Sequence, residues 1–473
     1  MWIDGGHHTG PIGGRPLISP RDGSVLTTLA AADTRTLDHA VASARAAFER
    51  GTWSRATARQ RGRVLRLWAD LVEAERETLA LLISLEMGKP ISAALDVETR
   101  AAVSSLRWYG EIADKLMDES PRGVDGALAL VTREPIGVLG MITPWNMPIT
   151  LLTWKLAAAL AAGNSLVVKP ADQSPLSTLF LAELGTRAGL PDSVLQVLVG
   201  RGSVVGAAMG RHPDLDGLSF TGSTAVGKGL LSDAGASNAK QLWLELGGKT
   251  PVVVLPDADM DAAADAIAWG ITFNSGQLCT ATSRLIVHES VQEQLTVLVV
   301  DRIRAKVIGD PLESSTEIGP LASSTHRSDV LAHIERGLDD GAVLVSGSAD
   351  PLNGPGWFLE PVVFTHVQPQ MALAQDEIFG PVLSILSFRD TEQAIALAND
   401  SVYGLGSSVW TRDISQAVKI SRCLDAGMVW VNCFEEGDMT VPFGGRKQSG
   451  HGADKSIHGL EKFTNLKTTW IQL

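Results

Sequence analysis

Across residues 34–118 apolar side chains return at i, i+3, i+4 and i+7, first in TLDHAVASARAAFE and then in QRGRVLRLWADLVEAERETLALLISLEMGK. That spacing predicts amphipathic helices, the second stopping at Gly88-Lys89-Pro90, and ETRAAVSSLRWYGEIADKLM predicts a third. These are packing elements, with no chemistry assigned to them. At Leu128 the texture changes. ALALVTREP and IGVLGMITPWN are extended, LTWKLAAALAAG is a helix stopped by Gly163, and NSLVVKPAD is a strand ending at Lys169-Pro170. SPLSTLFLAELGTRAG is a helix with Ser174 as its expected N-cap and Pro175 at the first position. VLQVLVG, a helix over 203–209, and LDGLSFTGS continue the alternation.

Strand–helix–strand repetition predicts a parallel α/β sheet whose ligand crevice lies beyond the carboxyl ends of its strands. The turns at Asn146, Lys169 and Thr221 are therefore the expected cofactor side. After Gly248 the pattern restarts with PVVVL, a helix MDAAADAIAWGITFNSG that ends before Cys279, and SRLIVHESV. EIFGPVLSILSF, AIALANDSVYGLGSSVWT, ISQAVKISRCLDAG and MVWVN complete a second α/β unit, so the main boundary is expected near Leu246-Gly247. The closing EKFTNLKTTWIQL alternates as a strand does and is a candidate partner for ALALVTRE. At 473 residues the chain exceeds one core of ~250–300 residues, in keeping with more than one domain.

Composition narrows the classes. With 45% hydrophobic and 20% charged residues the chain is ordinarily globular, and a net charge of −13 argues against nucleic acid as a partner. Three cysteines with no C-x-x-C pair cannot build a disulfide framework, which points to a reducing cytoplasm. The opening MWIDGGHHTGPIGGRP lacks a basic segment followed by an apolar one, so no secretory signal is expected. His7 and His8 read as an exposed loop pair, and no metal is expected. The longest apolar stretch, 151–162, is interrupted by Lys155 and falls short of the ~20 residues of a membrane span.

Candidate chemistry gathers at the turns. SFTGSTAVGK joins a strand to a helix and sets Gly222, Thr224 and Gly227 at G-x-T-x-x-G spacing, where free N–H groups suit a pyrophosphate, although Gly-Ser turns open many helices. Lys169 beside Asp172 suits a ribose, or else a surface ion pair. Asn146, between Pro144 and Pro148, is a rigidly held amide of the kind an oxyanion needs, or a structural turn residue. Glu245 closes QLWLEL among apolar neighbours, ahead of Gly247-Gly248, where desolvation would raise its pKa toward that of a general base. Cys279, between Gly276 and Thr280, is the reactive thiol candidate. Cys423, inside AVKISRCLDAG, reads as a buried hydrophobe, and Cys433 in WVNCF faces either core or pocket.

TPWNMP, VVKPAD, FTGSTAVGK, LELGGK, GQLCTA, EIFGPV, VWVN and PFGGRKQSG occur in the order and spacing of the non-phosphorylating NAD(P)-dependent aldehyde dehydrogenase superfamily, which the chain resembles over nearly its whole length. GDMTVPFGGRKQSGHGADKSIHGLEKF looks most like the γ-glutamyl-γ-aminobutyraldehyde dehydrogenases. The resemblance implies an α/β, aldehyde-dehydrogenase-like fold of two Rossmann-like α/β domains plus a small bridging β oligomerisation element. Residues 1–116 and 135–246 would bind NAD, 247–445 would carry catalysis, and 117–134 with 446–473 would bridge subunits of a homodimer or homotetramer. It implies that Cys279 is the nucleophile, that Asn146 and the Cys279 N–H bind the oxyanion, and that Glu245 activates water against the thioester. Lys169 and Glu377 match the two ribose ligands and Ser223 a pyrophosphate contact, with Trp145 and Phe379 beside the nicotinamide. Trp154 and Phe273 match walls of the substrate tunnel, to which Phe434 is a candidate addition. Where many NAD-preferring members carry Glu after Lys-Pro-x, this chain has Asp172, one methylene shorter. A carboxylate there still repels a 2′-phosphate, which favours NAD, with NADP as the alternative.

The resulting expectation is an NAD-dependent enzyme oxidising an aldehyde to its acid, the substrate an aminoaldehyde such as γ-glutamyl-γ-aminobutyraldehyde. The acidic run Glu435-Glu436-Gly437-Asp438 would draw an ammonium to the pocket mouth. Rival readings are an aryl or aliphatic aldehyde, served by Trp154, Phe273 and Phe434; a CoA-acylating dehydrogenase, against which Glu245 speaks; and a non-catalytic binding protein.

Overall fold

A computed structural model describes residues 1–123 and 125–473. The amphipathic pattern of 60–89 resolves into two helices, Ala58–Ala74 and Arg76–Met87, because Glu75 leaves helical geometry at φ −104°, ψ 15°. The first is opened by a reciprocal Thr57–Gln60 capping box and the second is closed by Gly88 at φ 80°.

Eight strands form the first sheet, in the order Gly6–His7, Trp2–Ile3, Leu195–Val197, Ser165–Lys169, Val138–Ile142, Gly217–Thr221, Gln241–Glu245 and Gly450–His451. Its central strands run parallel. Val138–Ile142, Ser165–Lys169 and Gly217–Thr221 are buried at every position, which is why they lack the apolar–polar alternation of a half-exposed strand. A seven-stranded sheet built on Pro251–Val254, Arg284–His288, Val382–Phe388 and Gly406–Trp410 carries the second half of the chain. Ala127–Pro135 pairs antiparallel with Thr464–Gln472 in an unbroken register, joining the two alternating segments noted in the sequence. Within the expected 117–134 bridge, position 124 lies outside the described residues.

Several local expectations are corrected. Ser174 does not cap the helix Leu176–Arg187, and its hydroxyl has no partner among the described residues. The Glu86 carboxylate, reaching over from Arg76–Met87, accepts from the N–H groups of Leu176 at 2.6 Å and Ser177 at 3.2 Å, and a carboxylate is the stronger acceptor at a helix N-terminus. Within the expected 446–473 segment, the residues paired with Ala127–Pro135 are Thr464–Gln472. Gly450–His451 adds an antiparallel edge to Gln241–Glu245, and Phe463 is fully buried with its ring 5.0 Å from that of Trp243. Gly450 permits the pairing, because a Cβ there would stand 2.0 Å from the Leu244 carbonyl. Cys423 is exposed, since it closes the helix Ile414–Cys423 beyond that helix's buried Ala417 and Ile420.

Candidate active site

One cavity of about 660 Å³ is lined by Asn146, Glu245 and Cys279 together. Glu245 reaches it from the last position of Gln241–Glu245, 3% exposed, with neither carboxylate oxygen hydrogen-bonded among the described residues. Burial pushes its pKa up to about 8, with Lys155 and Lys462 pulling it down and Asp454 pushing it up. These three charges form their own buried cluster, in which both ammonium groups donate to the Asp454 carboxylate. The lysine that interrupts the apolar helix Pro148–Ala162 is thus paired inside the core, next to the candidate base.

Cys279 follows a tight turn in which Asn274, Ser275 and Gly276 are all left-handed, at φ 51°, 59° and 71°. Gly276 is required there, because a Cβ would lie 2.4 Å from the Gly380 carbonyl. Burial, then the nearby Glu245, Glu435 and Glu377, raises the Cys279 thiol well above its ordinary range, so the thiol needs a base to become a nucleophile. The Asn146 side chain donates to the Gln277 carbonyl at 3.0 Å, which fixes the amide beside the cysteine loop and leaves its second N–H for a ligand.

The two glycines of LELGGK have separate reasons. Gly247 makes room for Glu377, whose carboxylate would meet a Cβ at 2.0 Å, and Gly248 makes room for the Cys279 carbonyl. Glu377 accepts from the Gly248 N–H at 2.9 Å, and burial raises its pKa to about 7. Phe379 holds φ 58° and presents its ring to Trp145 at 5.5 Å. Gly222 and Ser223 also line the cavity, and Ser223 caps the helix Thr224–Gly235 by accepting from Val226. Thr224 and Gly227 do not line it. Thr224 donates to the Gln448 carbonyl, and Gly227 lets its helix close on Leu246.

Lys169 and Asp172 stand apart from this cavity. The Lys169 ammonium donates to the carbonyls of Pro170 and Gly200 and to Asp172 at 3.2 Å. The other Asp172 oxygen accepts from Arg15 at 3.2 Å, beside a second hollow of about 330 Å³. Nor do Trp154, Phe273 and Phe434 line the large cavity. Trp154 lies 5.3 Å from Phe443 with the Lys455 ammonium over its ring, Phe273 stacks on Trp269 at 4.8 Å, and Phe434 meets Trp430 at 5.1 Å. The acidic run divides. Glu436 and Asp438 are exposed, whereas Glu435 is half-buried with one carboxylate oxygen unpartnered. Burial raises the Glu435 pKa, against a hydrogen bond from Thr280 and the charge of Lys455.

Sequence reading missed His326, Asp329, His333 and Arg336, which line the cavity from one face of the helix Ser324–Asp339. Their spacing of three, four and three residues is a helical stripe, and that stripe was the available signal. It also missed Arg15, Asp454 and Lys462. Among the described residues no cluster of three or more His, Cys, Asp or Glu could hold a metal, and no helix is long and apolar enough to cross a membrane.

The cavity fits a dinucleotide. A helix N-terminus at Ser223 suits phosphate, the Glu377 carboxylate suits ribose hydroxyls, and the Trp145 and Phe379 rings suit a flat heterocycle. The model of the aldehyde dehydrogenase family matches residues 12–469. The chain is 46% identical to the NADP/NAD-dependent aldehyde dehydrogenase PuuC of Escherichia coli (strain K12), covering 96% of this chain and 92% of that one. It is 44% identical to an aminoacetaldehyde dehydrogenase of Pseudomonas aeruginosa, covering 99% and 95%. An indole-3-acetaldehyde dehydrogenase solved with NAD+ superposes with a TM-score of 0.98 at 45% identity, covering 100% of this chain and 96% of that one.

Proposed function

The chain belongs to the aldehyde dehydrogenase family and is an NAD-dependent oxidoreductase of aldehydes, and we propose that it oxidises ammonium-bearing aldehydes through a thioester on Cys279. The observation that carries the mechanism is the convergence of Cys279, Asn146 and Glu245 on one cavity. In this reading the Cys279 thiol loses its proton to water in the cavity, and the thiolate adds to the aldehyde carbon. Asn146 and the Cys279 N–H donate to the oxygen as it gains charge. The nicotinamide cofactor, when bound, supplies the hydride acceptor that turns the adduct into a thioester. Glu245 then takes a proton from water attacking the thioester, and the acid leaves as the thiolate is restored.

For the substrate, the supporting observation is Glu435, a half-buried carboxylate bonded to Thr280 next to the nucleophile and keeping one oxygen unpartnered. An ammonium a few bonds from the aldehyde would satisfy it, as in aminoacetaldehyde or 4-aminobutanal, whereas γ-glutamyl-γ-aminobutyraldehyde carries its ammonium beyond an amide, at the far end of the molecule. The test compares kcat/KM for aminoaldehydes with that for neutral aldehydes of equal length, in the wild type and in Glu435→Gln. Loss of the aminoaldehyde preference in the variant is expected, and an unchanged preference refutes the assignment. The aromatic series Trp269, Phe273, Trp430 and Phe434 supports aryl aldehydes as the second reading.

We assign cofactor binding to 1–116 and 135–246, with 450–463 added to that unit, and catalysis to 247–445. A homodimer or homotetramer joined through the Thr464–Gln472 ribbon is supported by its exposed Leu466, Trp470 and Ile471, and a cytoplasmic location by three cysteines that are all free.

A further inference from the structure

Behind the Asn146 turn lie two charges that the reaction does not consume. Lys89 and Glu98 have no exposed side-chain surface, and their charged atoms meet at 2.5 Å. The Lys89 ammonium also donates to the backbone carbonyl of Asn146 at 3.0 Å. Glu98 accepts, through its other oxygen, from the Thr150 N–H at 2.9 Å and the Thr150 hydroxyl at 2.8 Å. One ion pair therefore grips both sides of the turn, at Asn146 and at the first turn of the helix Pro148–Ala162.

The backbone delivers both charges inward by irregular means. Gly88, left-handed at φ 80°, ends the helix Arg76–Met87 just before Lys89. Glu98 sits in a π-helical segment, Ala94–Thr99, a distortion that re-aims side chains and recurs at functional sites. On the far side the Asn274 amide donates to the carbonyls of Asn146 and Gln277, both at 3.1 Å. The Asn146 carbonyl thus has both lone pairs occupied, one by the cysteine loop and one by Lys89.

We propose that the Lys89–Glu98 pair positions the oxyanion hole, holding the Asn146 backbone so that its side-chain amide stays fixed beside Cys279. A buried ion pair is a poor source of stability, because desolvation of both charges offsets their attraction. Its value lies in direction, since a charged donor at a set distance holds a carbonyl more tightly than a neutral one. The inference rests on the reading of Asn146 as the oxyanion donor.

The test uses the full chain with NAD and saturating aldehyde, and follows the rate of the first-turnover NADH burst. Removing both charges in the Lys89→Met/Glu98→Gln variant keeps an acceptor for Thr150 and leaves no lone buried charge, so folding is expected to survive. The burst rate should fall about 10-fold, the order expected when a catalytic group is displaced by a fraction of an ångström. The KM for NAD and the deacylation rate should stay within two-fold of wild type, a split that general loosening would not produce. Lys89→Gln/Glu98→Gln, a second charge-free pair that keeps polar groups at both ends, should fall in the same direction and serves if the double variant does not fold. Lys89→Arg with native Glu98 should retain more burst rate than the charge-free variant. Burst rates within two-fold of wild type in the folded variants overturn the inference. Asn146→Ala separates the two readings: if it leaves the burst intact, the oxyanion assignment itself is wrong. If it alone slows the burst, only the role of Lys89 and Glu98 is lost.

Discussion

The carbonyl oxygen of Cys279 lies 2.3 Å from the point that a Cβ on Gly248 would occupy. The turn after the candidate base and the loop of the nucleophile are therefore in backbone contact, and a single methyl group would push them apart. Gly248→Ala should fold, bind NAD and lose about 100-fold in burst rate, as displacements near 1 Å at a reacting group do. A burst within three-fold of wild type would show that the loop absorbs the methyl without moving the thiol.

Glu245, with a pKa of about 8, is a base only above that pH, so deacylation should climb through pH 8 and level off beyond it. In Glu245→Gln the limb should vanish and a thioester should build up after one turnover of NADH, visible by mass spectrometry of the quenched protein. If instead the burst itself is lost, Glu245 serves the thiol and not the water. Cys279→Ala should bind NAD and produce no NADH.

Neighbouring charges should move that limb in opposite directions. Lys155 lowers the Glu245 pKa and Asp454 raises it, so Lys155→Met shifts the deacylation limb to higher pH and Asp454→Asn shifts it to lower pH. Lys155→Met also strips one partner from a buried carboxylate and should cost about 3 kcal/mol, read as a lower unfolding midpoint. Limbs that stay put in both folded variants would detach the cluster from the base.

The folded Glu245 carboxyl holds its proton more tightly than the unfolded one, whose pKa is 4.5. Its contribution to stability is present below that value and is lost as pH rises through about 8. Glu245→Gln should therefore resist heat better than wild type at pH 9, with little difference at pH 5. A larger gain at pH 5 would contradict the assignment.

Asp172 is shared by Lys169 and Arg15, so under its proposed assignment to the ribose the repulsion it would offer a 2′-phosphate is already compensated by two cations. Arg15→Gln removes one of them and should lower kcat/KM for NADP about three- to five-fold relative to NAD, the scale of a partly exposed ion pair. Equal ratios in wild type and variant would place the 2′-position elsewhere.

Much of this was legible in the chain itself. Strand–helix alternation after Leu128, the restart after Gly248 and the pairing of the closing strand with ALALVTRE were readable because period and breaker residues are local signals. The family and its NAD chemistry were legible in ordered motifs, most of them turns whose glycines and prolines suit a particular backbone path. Asn146, Cys279 and Glu377 stand in such turns, Glu245 ends the strand before one, and all four line one cavity. Ser174 and Cys423 misled because capping and burial depend on what arrives from elsewhere, here Glu86 in one case and nothing in the other.

The chain by itself determined the order of its elements, the turns that present reactive groups, and the family to which these belong. Tertiary structure alone decided which charges stand together. Lys89 meets Glu98 in a distorted helix, Lys155 meets Asp454 from the far end of the chain, and Arg15 crosses to Asp172. No periodicity marks these pairs, because an isolated charge in a sequence looks the same whether water or a distant partner will solvate it. Burial removes the water, and only the fold determines which opposite charge takes its place.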